Sequence, residues 1–197
     1  MRKVHLTCGD IYLTGYENCD IVGNILEEHT KAMIDEGIVE NINETTLDKY
    51  YKFPFEPDFN KRIRRSFILD RLMDIKQAWP WKDNSIDEVV QIASFEHFLH
   101  RTEIPHIISE AYRVLKNGGI YKFDFPDVRG IVEQYDDDYM MELLYGNHKN
   151  IYSSHEYGYT FTSVKEYFDP KKWTLIQKNT VNHDYPSTGV WATKIGN

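Results

Sequence analysis

Residues 85–126 read SIDEVVQIASFEHFLHRTEIPHIISEAYRVLKNGGIYKFDFP, and this stretch decides the fold. The run from Asp87 to Ala93 predicts a buried strand, and Ile120 to Phe125 predicts a second strand. Between these runs, apolar residues recur at the helical period, at Ile104, Ile107, Ile108, Ala111 and Leu115. A strand, a helix and a second strand in this order are typical of a parallel βαβ unit.

The chain on either side of this unit supplies further strands. Val4 to Cys8, Tyr16 to Ile21 and Ser66 to Met73 have strand character, and Trp173 to Val181 and Val190 to Ile195 form a C-terminal hairpin. The predicted fold class is therefore α/β, a Rossmann-like three-layer sandwich. Its mostly parallel seven-stranded sheet ends in an antiparallel C-terminal hairpin.

Three helix boundaries follow from the sequence. Thr102 is a candidate N-cap for the helix of the βαβ unit, and we expect that helix to end at Asn117-Gly118-Gly119. Ile131 to Tyr145 is predicted to form one further helix. Ser163 with Glu166 predicts a capping box at the start of another.

Composition places the chain among small globular domains. Its 197 residues predict a single domain over 1–197, with an insertion or flap at about 24–65. The net charge of -8 argues against broad nucleic-acid binding, which depends on Lys and Arg. No apolar run approaches the length of a membrane span, so a cytoplasmic location is expected. Cys8 and Cys19 suggest neither a disulfide framework nor a metal cluster, and no metal site is predicted.

Ligands of open α/β sheets bind beyond the carboxyl ends of the strands. Five segments at or near these ends carry a resemblance: His5 to Asp10, Gly15 to Ile21, residues 74–87, Phe95 to Phe98, and Glu110 to Gly119. In this order they resemble the motifs of class I S-adenosylmethionine-dependent methyltransferases, and a compact bacterial and phage branch is most similar. Later pieces of that branch resemble Tyr145 to His148 and His155 to Thr160.

The resemblance implies a methyltransferase with S-adenosylmethionine as its cofactor. It assigns Asp20 to the ribose hydroxyls and Asp74 to the adenine amino group, while Gly9 lets the main chain approach the methionine moiety. Taken singly, Asp20 and Asp74 are more often turn or cap residues, and a lone Gly9 usually marks a tight turn. The full predicted cofactor set is Thr7, Cys8, Gly9, Asp20, Ile21, Asp74, Ile75, Ala93, Ser94 and Glu96.

His97 is the first candidate for a catalytic residue, because a histidine beyond the fourth strand suits a general base for an oxygen acceptor. A structural histidine at the strand end is an equal alternative. Asp127, His155 and Tyr157 are candidate substrate contacts, although Asp127 more readily closes a turn. The acceptor is expected to be a small molecule or a saccharide.

Two features depart from the family pattern. The first motif has a single glycine, Gly9, and the span from Gly9 to Tyr16 is too short for a crossover helix. A non-catalytic regulatory module that binds the same cofactor is therefore a rival. A nicotinamide-dependent oxidoreductase is disfavoured, because no G-x-G-x-x-G follows the first strand. Lys61 to Arg65 either form a solvated surface, which is the favoured interpretation, or hold a phosphate-bearing substrate or a nucleic-acid backbone.

Overall fold

The computed structural model describes residues 1–9, 11, 13, 15–25, 68–148, 152–179 and 183–196. The insertion predicted at 24–65 lies outside the described residues except for Asn24 and Ile25, and Lys61 to Arg65 lie outside them as well. Among the described residues, no helix combines the length and the apolar character needed to cross a membrane.

A seven-stranded sheet runs through the molecule, beside a two-stranded sheet formed by the third and fourth strands. The strands are β1 (Lys3–Leu6), β2 (Glu17–Asp20), β3 (Asn24–Ile25), β4 (Ile68–Leu69), β5 (Arg71–Leu72), β6 (Ile86–Gln91), β7 (Leu115–Pro126), β8 (Trp173–Gln177) and β9 (Ser187–Lys194). Their order in the large sheet is β5-β2-β1-β6-β7-β9-β8. The first five of these strands are mutually parallel, and β9 pairs antiparallel with both β7 and β8. The predicted seven-stranded, mostly parallel sheet with an antiparallel hairpin is confirmed.

The helices differ from the predicted ones in their boundaries. The described helices are a 3-10 helix (Phe95–His97), α1 (Glu103–Val114), α2 (Val128–Gln134), α3 (Asp138–Tyr145) and α4 (Phe161–Lys165). The single helix predicted over Ile131 to Tyr145 is wrong, because the chain breaks between α2 and α3. Asp137 is the cause of the break, since its carboxylate accepts from the N–H groups of Tyr139 and Met140 and so starts a new helix.

Two predicted helix ends also shift. Helix α1 ends at Val114 and not at the glycine pair, because buried Leu115 leaves the helix in extended conformation and pairs with Ile86 in the sheet. Thr102 stands at the N-cap, but its side chain makes no capping hydrogen bond. The capping box of α4 joins Thr160 and Ser163, one turn earlier than the predicted pair.

The short connection between β1 and β2 is held by Asn18 in place of a crossover helix. Asn18 is fully buried on β2. Its Oδ1 accepts from the N–H of Leu13 at 2.9 Å, and its Nδ2 donates to the carbonyl oxygens of Leu13 and Tyr16, each at 3.0 Å. The ring of His5 on β1 also contacts Asn18 Oδ1, at 3.0 Å. One side chain therefore satisfies the main chain of a loop that returns directly to a parallel strand.

We expect Asn18→Ala to lower the free energy of unfolding by about 3 kcal/mol, because it leaves several buried main-chain groups without partners. Urea denaturation followed by circular dichroism measures this change. Asn179→Ala is the matched control, since Asn179 is exposed, and it should stay within about 0.5 kcal/mol of the wild type. Equal stabilities for the two variants would mean that Asn18 does not hold the loop.

Candidate active site

The candidate site lies at the edge of the sheet formed by the carboxyl ends of the parallel strands, at the point where the strand order reverses. The strands β2 and β5 lie on one side of β1, whereas β6, β7 and β9 lie on the other. The β1–β6 junction is therefore the topological switch point, where open α/β sheets bind their ligands. Leu6 pairs with Gln91 across this junction, so the residues that follow each strand emerge at the same level.

Asp20 connects the end of β2 to the turn after β1. Its Oδ2 accepts from the N–H of Gly9 at 2.8 Å, and its Oδ1 accepts from the N–H of Ile21 at 2.7 Å. Gly9 has a φ of 53°, in the left-handed region that glycine tolerates. The structure therefore brings Gly9 and Asp20 together in one turn. Each carboxylate oxygen keeps acceptor capacity beyond these bonds.

Asp74 lies farther along the same edge. It follows β5, which pairs with β2 so that Leu72 faces Asp20. The Asp74 carboxylate accepts from the N–H of Lys76 at 2.9 Å and closes a local turn. The strand order thus places Gly9, Asp20 and Asp74 in sequence along one edge of the sheet.

Thr7 and Ser94 join the two central strands. The hydroxyl groups of these residues hydrogen-bond at 2.5 Å. Thr7 and Ala93 have φ values of 48° and 45°, which are uncommon for residues with a side chain. Such conformations cluster at functional sites, where the surrounding structure holds them. Both stand at the switch point, just beyond the ends of β1 and β6.

Some members of the predicted cofactor set can offer only their main chain. The side chains of Cys8 and Ile75 are each 2% exposed and belong to the interior. Ile21 is 44% exposed, beside Asp20. Glu96 is directed elsewhere, because its carboxylate faces two histidines and not the Asp20 turn.

Glu96, His97 and His155 form a cluster beyond the end of β6, which we call the Glu–His–His cluster. Glu96 Oε1 lies 4.0 Å from His97 Nε2 and 3.9 Å from His155 Nε2. The two imidazole ring centroids are 4.8 Å apart. Sequence analysis placed these three residues in three different roles, and the structure brings them together.

The orientation of His97 leaves one ring nitrogen with a lone pair in the cluster. His97 Nδ1 lies 2.7 Å from the carbonyl oxygen of Ser154. A carbonyl only accepts, so Nδ1 carries the proton and Nε2 is an open acceptor in the neutral ring. His155 is likewise held by main-chain hydrogen bonds, at Leu143 and Leu144.

Packing fixes the segments that carry the cluster. Phe95 is fully buried and stacks on Phe123 at 4.5 Å, with Tyr159 edge-on at 5.0 Å. The main-chain carbonyl of Glu96 accepts from the N–H groups of Glu156 and Tyr157, at 2.8 and 3.3 Å. The 3-10 helix and the segment that bears His155 are therefore tied together by the core and by the main chain.

Burial shifts all three side chains toward their uncharged forms. It raises the pKa of Glu96 to about 8, and the neighbouring Asp124 carboxylate acts in the same direction. Burial, together with His97, lowers the pKa of His155 to about 4. The pKa of His97 is also lowered, chiefly by burial.

A second buried pair, Asp124 and His183, was not foreseen from the sequence. Asp124 is 1% exposed at the end of β7, and its Oδ1 accepts from the N–H of Ala93 at 2.6 Å. Its Oδ2 lies 3.3 Å from His183 Nε2. The available signal was an acidic residue inside the apolar run from Ile120 to Phe125. The pair packs beside the switch point and supports the turn after β6.

The remaining predicted substrate residues have structural partners. Asp127 Oδ1 accepts from the N–H groups of Arg129 and Gly130 at the start of α2, and its Oδ2 accepts from the Thr188 hydroxyl at 2.5 Å. This is the turn-closing role that the sequence favoured. Tyr157 stacks on His100 with ring centroids 4.0 Å apart and is 39% exposed, near the Glu–His–His cluster.

Comparisons with known proteins agree with this arrangement. Residues 40–123 match the family described as a methyltransferase domain. No curated protein sequence matches the chain.

Several solved structures share its fold at low sequence identity. An S-adenosylmethionine-dependent methyltransferase from Clostridium acetobutylicum superposes with a TM-score of 0.55 at 11% identity, over 100% of this chain and 84% of that one. One from Methanosarcina mazei has a TM-score of 0.53 at 13% identity, over 100% and 93%. A third, named as a possible histamine N-methyltransferase from Thermotoga maritima, has a TM-score of 0.51 at 13% identity, over 98% and 82%.

Residues 40–123 therefore match a methyltransferase domain, and the chain shares the fold of solved S-adenosylmethionine-dependent methyltransferases.

Proposed function

We propose that the protein is an S-adenosylmethionine-dependent methyltransferase that acts on a hydroxyl group of a small molecule, with saccharides as the first substrate class to test. The observation that carries the proposal is the open Nε2 of His97 beside the switch point, held by the Ser154 carbonyl. A hydroxyl acceptor needs a general base to accept its proton, and a neutral imidazole with an open nitrogen can serve as that base.

The residues along the carboxyl edge fit the cofactor by their chemistry. Asp20 offers carboxylate oxygens with spare acceptor capacity for the two ribose hydroxyls. Asp74, two strands from Gly9, is assigned to the adenine amino group, and the turn at Thr7 to Gly9 to the methionine moiety. When bound, S-adenosylmethionine supplies an electrophilic methyl group attached to a sulfonium.

The contribution of the protein is mainly alignment. Holding the acceptor oxygen in line for displacement can account for roughly 7–11 kcal/mol of the barrier. In the proposed arrangement, Nε2 of His97 either accepts the proton of the acceptor hydroxyl or accepts a hydrogen bond from that hydroxyl. Tyr157 and its partner His100 form an aromatic surface on which a sugar ring can pack.

The ring tautomers provide a test of the His97 geometry. We expect long-range ¹⁵N–¹H correlation spectra at neutral pH to show the His97 proton on Nδ1. His106 is an internal control with the opposite expectation, because its Nε2 lies 3.1 Å from the Gln77 carbonyl. A His97 proton on Nε2 would contradict the assignment of an open lone pair to that atom.

Substitution of Asp20 tests the cofactor assignment. Asp20→Asn keeps an acceptor for the Gly9 N–H but removes the charge, so we expect roughly tenfold weaker binding of S-adenosylhomocysteine. Isothermal titration calorimetry measures it. Asp136→Asn makes the same change at an exposed position and should leave the affinity unchanged. Affinities within twofold for both variants would remove Asp20 from the cofactor site.

Turnover of a His97 variant tests the acceptor side. A panel of nucleotide sugars, nucleosides and phenols is first screened for release of S-adenosylhomocysteine. With an active acceptor, His97→Ala should lower kcat by about 100-fold or more while the cofactor affinity stays within threefold. His106→Ala serves as the control and should retain wild-type turnover. No product from any member of the panel, or wild-type kcat in His97→Ala, would contradict the proposed function.

A further inference from the structure

The distances within the Glu–His–His cluster do not suit hydrogen bonds. Glu96 Oε1 is 3.9–4.0 Å from the two Nε2 atoms, whereas an N–H···O bond spans about 2.7–3.2 Å. The one ligand atom of each side chain nevertheless lies within 4.8 Å of the other two. The three ligand atoms therefore face a common point at separations too long for hydrogen bonds between them.

Glu96 is only partly compensated for its burial, chiefly by a hydrogen bond from its own main-chain N–H. Its side chain is 4% exposed, and its Oε2 has no hydrogen-bond partner among the described residues. Within the described ranges, the basic groups found within 4.0 Å of its carboxylate are the same two imidazoles. An isolated buried carboxylate is costly unless it is paired or coordinates a metal.

The surroundings of the rings match those of metal-binding histidines. Such a histidine usually donates its second ring N–H to a carbonyl or carboxylate, which fixes the ring and its tautomer. His97 Nδ1 has this contact with Ser154, and main-chain groups at Leu143 and Leu144 hold His155. The histidines are thus oriented before any ion enters.

We propose that Glu96, His97 and His155 bind one divalent transition metal ion, with Zn²⁺ as the best match. Two imidazole nitrogens and one carboxylate oxygen are a known zinc set that leaves a position open for an exchangeable ligand. Bonds of about 2.0–2.1 Å in tetrahedral geometry separate ligand atoms by roughly 3.4 Å. The two Glu96–histidine separations must shrink by about half an ångström and the separation between the two nitrogens, now within 4.8 Å, by up to about 1.4 Å, which side-chain rotations supply.

The neighbouring Asp124–His183 pair does not belong to this ligand set. Asp124 Oδ1 is engaged by the Ala93 N–H, and Oδ2 faces His183 Nε2 at 3.3 Å. The Asp124–His183 contact at 3.3 Å is shorter than either contact of the Glu96 carboxylate with its two histidines. The ion is therefore assigned to the cluster and the Asp124 pair to the support of the adjoining turn.

This inference rests on the proposed function and refines the role of His97. With its Nε2 lone pair bound to the cation, His97 no longer accepts the proton itself: the cation lowers the pKa of a bound hydroxyl as a Lewis acid, and the hydroxyl loses its proton to solvent. The open position then selects acceptors that present an oxygen able to ligate the metal. Phenols, vicinal diols and sugar hydroxyls meet this condition.

The test is calorimetric titration of ZnCl₂ into chelator-treated full-length protein, alongside His155→Gln, Glu96→Gln and the control His106→Gln. We expect one site in the wild type and in His106→Gln, and an affinity at least about 100-fold weaker in the two cluster variants. Visible absorption after titration with CoCl₂ should report four- or five-coordinate Co²⁺ in the wild type and lose intensity in His155→Gln.

Thermal unfolding distinguishes a variant that has lost Zn²⁺ binding from a variant that fails to fold. Zn²⁺ should raise the Tm of the wild type and of His106→Gln, because the ion binds the native state, and should leave the Tm of a folded His155→Gln unchanged. The proposal is overturned if the wild type binds no Zn²⁺, or if His155→Gln binds it equally well and gains the same stability.

Activity then separates this inference from the proposed function. If chelation leaves methylation unchanged and Zn²⁺ does not bind, the metal site is rejected, while a loss of turnover in His97→Ala still upholds the acceptor role. If Zn²⁺ binds through the cluster but no hydroxyl acceptor is methylated, the metal site stands and the proposed function falls.

Discussion

The parallel pairing of β1 with β6 is the constraint on which the rest of the structure depends. It aligns Leu6 with Gln91, so that the turns after the two strands leave the sheet side by side. The hydroxyl contact between Thr7 and Ser94 closes the junction. The proposed cofactor residues then extend along the edge toward β2 and β5, whereas the Glu–His–His cluster follows β6. The proposed donor and acceptor sites are neighbours because these two strands are neighbours.

In the first half of the sheet, the parallel strands β1 and β2 are joined by an unusually short connection. A crossover between parallel strands normally needs a dozen or more residues, but β1 ends at Leu6 and β2 begins at Glu17. The buried side-chain amide of Asn18 makes this short connection possible, because it hydrogen-bonds to the main chain of the loop. Because the loop is fixed at Leu13 and Tyr16, the Gly9 N–H stays within reach of the Asp20 carboxylate. A single polar side chain in the core thus supports the geometry of the cofactor edge.

Much of this arrangement could be predicted from the sequence, because strand ends in a parallel sheet meet at one edge. The positions of Gly9, Asp20, Asp74 and Ala93 follow from strand order alone. The position of His155 does not, because it depends on the docking of its segment onto the main chain of Glu96, 59 residues earlier. The break at Asp137 was missed because helical apolar spacing continues across it, while the competing carboxylate cap acts locally. Asn18 looked like an ordinary strand residue, and only the loop above it reveals its function.

The central claim is that one edge of the sheet holds both the adenosine of the cofactor and the groups that act on the acceptor. A crystal structure with bound S-adenosylhomocysteine tests it most directly. We predict that the ribose hydroxyls lie on the Asp20 carboxylate and that the sulfur atom points toward the 3-10 helix carrying His97. Adenosine bound elsewhere, or a sulfur atom directed away from that helix, would contradict the account.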